Sequence, residues 1–212
     1  MKTFLFFLLI PWAALTRAQS LKENPGLDRK VEAFLEEMSG RWYDMNVPAR
    51  DGRLLHDLII RGHYQSALEI GTSTGHSGIW MAWALSKTGG KLITIDIDEE
   101  RHRKAVENFK KAGLSDYVDA RLADAHELVR ELEGPFDFVF SDADKGWYRN
   151  YFLDVDPKLV VGGCYTTHNI SDGRGGWNRE YLEFVRSLDN YESTLNSAGG
   201  GVLISYKRAK KP

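Results

Sequence analysis

The chain has a single cysteine, Cys164, among its 212 residues, so no internal disulfide can form. Cys164 lies in an apolar, strand-like run and reads as a buried, inert thiol. Basic blocks are missing as well: apart from the tail Lys207, Arg208, Lys210 and Lys211 there is none, and the net charge of −2 leaves no footprint for nucleic acid. The apolar run Phe4 to Leu15 falls short of the roughly 20 residues that a spanning helix needs, so no stable membrane anchor is expected. No internal repeat is visible. The glycines at 71, 75 and 78 do not have the G-x-G-x-x-G spacing, which disfavours a dinucleotide.

What is present is a balance of 42% hydrophobic and 27% charged residues, that of one globular domain with a sizeable core. Lys2, the run Phe4 to Leu15 and the small residues around Ala18 form a signal-peptide pattern over residues 1 to 18. The expectation is a cleaved, secreted or periplasmic protein whose domain occupies residues 19 to 212, with an uncleaved anchor as the alternative.

The chain is organised around Ala67 to Leu85, which reads as strand, tight turn and helix. An apolar run carrying Glu69 ends at Gly71. Thr72, Ser73 and Thr74 can cap backbone donors, and Gly75 allows close approach to a bound molecule. Ser77 opens a helix with Ile79, Ala82 and Trp83 on one face. Upstream, Val31, Phe34, Leu35 and Met38 make a packing helix that stops at Gly40, and Leu54, Leu55, Leu58 and Ile59 make another. Met45 to Val47 either line a pocket or cap that helix.

Downstream, Lys91 to Ile97 alternates as a strand ending in Asp96 and Asp98. Asp96 lies about 25 residues beyond Gly71, where a ribose-binding acid belongs in a Rossmann-like sheet. Helix Glu100 to Ala112, strand Tyr117 to Leu122 and the turn Asp124-Ala125-His126 follow. Strand Phe136 to Phe140 leads to Ser141-Asp142-Ala143-Asp144-Lys145, and strand Val160 to Thr167 leads to His168-Asn169. Parallel strands bring their C-terminal ends to one edge, so Asp142, His168 and Asn169 could share an ion there. Tyr191 to Leu195 and Val202 to Tyr206, joined through Gly199-Gly200-Gly201, read as a closing antiparallel pair.

The motifs NVPARDGRLLHDLI, LEIGTSTGHSG, ITIDID, FVFSDADKGWY and a Gly-Gly strand ending in His-Asn resemble the cation-dependent O-methyltransferases of the catechol and caffeoyl-CoA type. The likeness covers roughly residues 28 to 206. It implies a Rossmann-like α/β fold of the class I methyltransferase type: a seven-stranded, mostly parallel sheet with an antiparallel C-terminal pair and helices on both faces. It implies S-adenosylmethionine as cofactor. Val47, Glu69, Gly71 and Ser77 would hold its methionine end, Asp96 its ribose, and Asp124 and Ala125 would lie beside its adenine, with Asp142 also at the cofactor. It further implies a divalent metal on Asp142, His168 and Asn169, with Lys145 and Asp142 catalytic and Lys145 activating an acceptor hydroxyl.

One position departs from the pattern, since the family has Asp-Asn where this chain has His168-Asn169. Oxygen donors suit Mg²⁺, whereas an imidazole nitrogen suits a transition metal, so His168 either changes the metal or leaves the site without one. Trp147, Tyr148 and Tyr43 are expected to form a flat acceptor pocket or to pack in the core. The partner implied is a small-molecule hydroxyl acceptor of catechol-like character, not nucleic acid; a homodimer is a further expectation. The competing readings are an exported, non-catalytic S-adenosylmethionine-binding protein and an RNA-modifying methyltransferase.

Overall fold

The computed structural model describes residues 20–172 and 178–210. The signal peptide expected over residues 1 to 18 lies outside the described residues. Among those described, no helix is long and apolar enough to cross a membrane.

Helices and strands alternate from the first strand onward. Helices α1 (Pro25–Glu37) and α2 (Ala49–Gly62) precede β1 (Ser66–Ile70), α3 (His76–Thr88), β2 (Lys91–Asp96), α4 (Glu99–Ala112) and β3 (Val118–Leu122). Then come α5 (Ala125–Glu131), β4 (Phe136–Ser141), α6 (Tyr148–Val155), β5 (Leu159–Thr167), α7 (Arg179–Arg186), β6 (Tyr191–Asn196) and β7 (Val202–Lys207). The strands form one seven-stranded sheet in the order β3-β2-β1-β4-β5-β7-β6. β1 to β5 pair in parallel, and β7 runs antiparallel between β5 and β6. The sequence expectation of a mostly parallel sheet with a closing antiparallel pair therefore holds.

The central strands are buried on both faces, which is why β1 and β4 read as nearly continuous apolar runs. Leu68, Ile70, Val139 and Tyr165 pack under α5, α6 and α7, while Ala67, Phe138, Phe140 and Cys164 pack under α2 and α3. Cys164 is fully buried, and burial pushes its thiol up from the ordinary range. Helix α3 departs from the expected single apolar face: it is buried almost all round, covered by α1, α2 and α4 as well as by the sheet. Small residues such as Gly78, Ala82 and Ala84 let those neighbours come close. Three short helices, α5, α6 and α7, carry too few turns to stand out as periodic patterns in the sequence.

This order splits the sheet between β1 and β4, where successive connections run to opposite sides, so a crevice opens at the carboxyl ends of the strands. Gly71 turns the chain there at φ 100°, and a Cβ at this position would come within 2.7 Å of the Asp142 carbonyl oxygen. Only glycine lets the loop after β1 lie against the loop after β4.

Candidate active site

A cavity of about 400 Å³ fills that crevice. Its wall takes Gly71 and Ser73 from the loop after β1, Asp96 from β2, Asp124 and Ala125 from the start of α5, and Asp142 and Lys145 from the segment after β4. His168 and Asn169 enter from the end of β5, and Met45 and Asn46 from the loop before α2. The strand ends thus bring most of the sequence-predicted residues into one space.

At one end Asp96 presents its carboxylate to the cavity, held by backbone donors: Ser73 N–H at 2.7 Å on Oδ2 and Asp98 N–H at 2.9 Å on Oδ1. Each oxygen retains accepting capacity for a hydroxyl donor. Asp124 caps α5 by accepting from His126 N–H at 2.8 Å, and the His126 ring stacks on Tyr151 at 5.6 Å. The loop before α2 covers this end. Asn46 donates to the Tyr43 carbonyl and to Thr74, Ser73 Oγ donates to the Asp44 carbonyl, and Arg101 pairs with Asp44 at 2.9 Å. Asp44 and Met45 both have positive φ, 74° and 60°, the conformation that this tight cover requires.

Three of the expected cofactor residues lie behind the wall rather than on it. Val47 is a core residue whose carbonyl meets His76 Nδ1 at 2.9 Å. Glu69 is fully buried; Ser77 Oγ and Thr94 Oγ1 each donate to it at 2.5 Å, so Ser77 and Glu69 satisfy one another. Burial pushes the Glu69 carboxyl up to about 8, outweighing these two hydrogen bonds. Of the two expectations for Tyr43, Trp147 and Tyr148, a flat acceptor pocket or core packing, packing holds for Trp147 and Tyr148. Tyr43 is exposed, Trp147 packs on His126, and Tyr148 is buried with its hydroxyl donating to the His168 carbonyl at 3.1 Å.

At the opposite end the Lys145 ammonium lies 3.9 Å from Asp142 Oδ1. Asp142 Oδ2 stands 3.0 Å from His168 Nδ1, and His168 Nε2 stands 2.9 Å from Oδ2 of a second acid, Asp51, in the first turn of α2. Burial alone would lower the His168 pKa, but the Asp142 and Asp51 carboxylates outweigh it and hold the imidazole above its ordinary value. The proposed metal donor set does not fit a divalent cation. A ring with both nitrogens turned to carboxylates has no lone pair to offer, and among the described residues no cluster of three His, Cys, Asp or Glu side chains is arranged to hold an ion.

Sequence reasoning missed Asp51, although a signal was present. It falls in register with Leu55, Leu58 and Ile59 on the buried face of α2, and an acid on such a face needs a partner.

A parallel sheet closed by an antiparallel pair, with acids at the strand ends around a glycine turn, is the class I methyltransferase arrangement. The family model described as O-methyltransferase matches residues 18–171. A catechol O-methyltransferase from Niastella koreensis is 40% identical over 112 residues, a stretch that spans 51% of this chain and 50% of that protein. Caffeoyl-CoA O-methyltransferase 1 from Eucalyptus globulus is 34% identical over 197 residues, covering 85% of this chain and 78% of that one. Among solved structures, an O-methyltransferase from Bacillus cereus in complex with SAH superposes with a TM-score of 0.72 at 25% identity, covering 85% of this chain and 91% of that one. The O-methyltransferase TomG from Streptomyces achromogenes shares the fold, with a TM-score of 0.71 at 24% identity over 89% of this chain and 92% of that one. The chain belongs to the O-methyltransferase family that includes the catechol and caffeoyl-CoA enzymes.

Proposed function

We propose that this protein transfers a methyl group from S-adenosylmethionine to a hydroxyl of a small aromatic molecule. The observation that carries the reading is the continuity of one cavity from Asp96 to Lys145, which puts a ribose-accepting carboxylate and a proton-accepting amine in the same enclosed space. The wall fits the cofactor chemically: ribose hydroxyls are donors, and Asp96 is an acceptor already oriented by two backbone N–H groups. Gly71 and Ser73 would hold the middle of the cofactor, and Asp124 and Ala125 its base.

When bound, S-adenosylmethionine would supply an electrophilic methyl carbon for the acceptor oxygen. The protein has to align that oxygen and remove its proton. Lys145, partly exposed on the same cavity wall, is the group to take it, with Asp142 at 3.9 Å beside the amine.

The test is isothermal titration with S-adenosylmethionine, followed by mass spectrometry of a panel of phenols and catechols for the gain of one methyl group. Tight binding with no methylated product from any hydroxylated aromatic would favour a cofactor-binding protein without this activity. Loss of product in Lys145→Ala with cofactor binding intact is the expected result for the base.

A further inference from the structure

Two residues of the cavity wall, Asp142 and His168, belong to a row of three side chains drawn from distant parts of the chain, with Asp51 behind them. Asp51 comes from the start of α2, His168 from the end of β5 and Asp142 from the end of β4. The imidazole sits between the two acids, 2.9 Å from one and 3.0 Å from the other, and its side chain is only 5% exposed. A carboxylate accepts, so each ring nitrogen that faces one serves as a donor, and neither is left to ligate. Ring rotation does not free them. The turn between β6 and β7 packs against the row, with Gly200 N–H donating to Asp51 Oδ2 at 2.7 Å, and a Cβ at Gly200 would come within 2.5 Å of His168 Nε2. Phe140 packs against the ring from the sheet side. Both ring nitrogens are thus taken up by carboxylates where the family resemblance would place a metal ion.

We propose that the Asp51–His168–Asp142 row takes the place of a divalent cation, so that the site works without metal and takes an acceptor through one hydroxyl rather than through two adjacent oxygens. This rests on the methyltransferase reading above and narrows its acceptor class. A bound dication would be shared by two neighbouring substrate oxygens. Here both His168 nitrogens are spent on carboxylates, and Asn169 on the same wall is neutral. Among the described residues Lys145 supplies the amine on this wall, beside Asp142, and it offers a single centre for a single oxygen. A vicinal oxygen on the acceptor then gains no special partner. Monophenols and catechols become equivalent as far as activation is concerned, and selection among them passes to shape.

The experiment uses the full chain stripped on a chelating resin. Mn²⁺ is titrated in and free Mn²⁺ followed by electron paramagnetic resonance, a parallel titration uses Zn²⁺ with a colorimetric indicator, and S-adenosylmethionine binding is read by calorimetry with and without EDTA. Wild-type protein should take up neither ion stoichiometrically, and EDTA should leave cofactor affinity unchanged. His168→Asp, which returns an oxygen donor and releases the Asp51 and Asp142 carboxylates from the imidazole, should gain Mn²⁺ affinity by about tenfold or more. Stoichiometric Mn²⁺ or Zn²⁺ uptake by the wild type that disappears in Asp142→Asn overturns the proposal. If His168→Asp does not fold, the wild-type titrations still decide. In the acceptor arm, phenol and catechol should be methylated in EDTA at rates within about tenfold of each other. A strict requirement for the vicinal pair, or loss of all turnover in EDTA, overturns the proposal. Failure to bind S-adenosylmethionine at all would count against the methyltransferase reading, while the metal titrations, read directly, would still decide whether this row excludes an ion.

Discussion

Glu69 and Asp51 are both carboxylic acids with almost no solvent exposure, at 0% and 1%, and the protein accommodates them by opposite means. Glu69 stands in the middle of an apolar strand with only two hydroxyls for company, and burial holds its pKa near 8, so at neutral pH it keeps a proton. Asp51 has a backbone N–H and an imidazole against it. One acid is made tolerable by a proton and the other by a neighbouring imidazole. The first solution braces the loop under the cofactor end of the cavity, and the second fixes the charge pattern at the acceptor end. Asp96 is the contrast to both: it keeps part of its surface in the cavity and is free to take a ligand.

The sharpest way to break the comparison is Asp51→Ala. It removes the acceptor of Gly200 N–H and leaves His168 with one partner, so stability should fall by about 3 to 5 kcal/mol, measured by urea unfolding near neutral pH. Replacing the Glu69 carboxyl by a group that cannot ionise should act the other way. Its folded-state value of about 8 lies above the ordinary 4.5, so the native chain holds a proton that the unfolded chain loses as pH rises. Its contribution is fully present below about pH 4.5, declines as pH rises and is exhausted above about pH 8. Glu69→Gln should flatten that decline and be more stable than wild type by on the order of 2 kcal/mol at mildly alkaline pH. Parallel pH profiles for the two proteins would show that Glu69 is not held protonated.

Asp96→Ala leaves two backbone N–H groups without their acceptor, so it should cost about 1 to 3 kcal/mol in unfolding and weaken S-adenosylmethionine binding by about 1.5 to 3 kcal/mol, read by calorimetry. Equal affinity in the folded variant would remove the ribose assignment. The smallest effect belongs to the cover. Arg101→Ala breaks a partly exposed pair with Asp44, for which less than about 1 kcal/mol of stability is expected, together with faster release of the cofactor in stopped-flow measurements.

How far each end was legible in the sequence follows from the range of its contacts. The cofactor end is partly local: Asp96 and Asp124 each accept from the backbone N–H two residues on, while Ser73 N–H reaches Asp96 from 23 residues upstream across paired strands. Strand alternation and glycine placement are enough to put them on one edge. What remained hidden there was which of them face inward. Glu69 and Ser77 read as cofactor residues, yet eight residues of separation across the strand, turn and helix let them bond to each other. At the acceptor end Asp142, His168 and Lys145 were visible as types, but the state of His168 depends on Asp51, 117 residues away, and no spacing rule links such positions. The short helices α5 to α7 escaped because their stability comes from packing on the sheet and not from a long apolar stripe.

The three-glycine turn between β6 and β7 has a consequence for the order in which the molecule is assembled. Gly200 reaches back 149 residues to Asp51, so the contact closes one of the longest loops in the chain and carries a correspondingly large entropic cost before it forms. Strands β1 to β3 and their helices can dock from nearby segments. The acceptor end has to wait for the final hairpin to be synthesised and laid against β5. A chain halted before β6 would carry every residue of the Asp96 end and still lack the Gly200 N–H that Asp51 accepts.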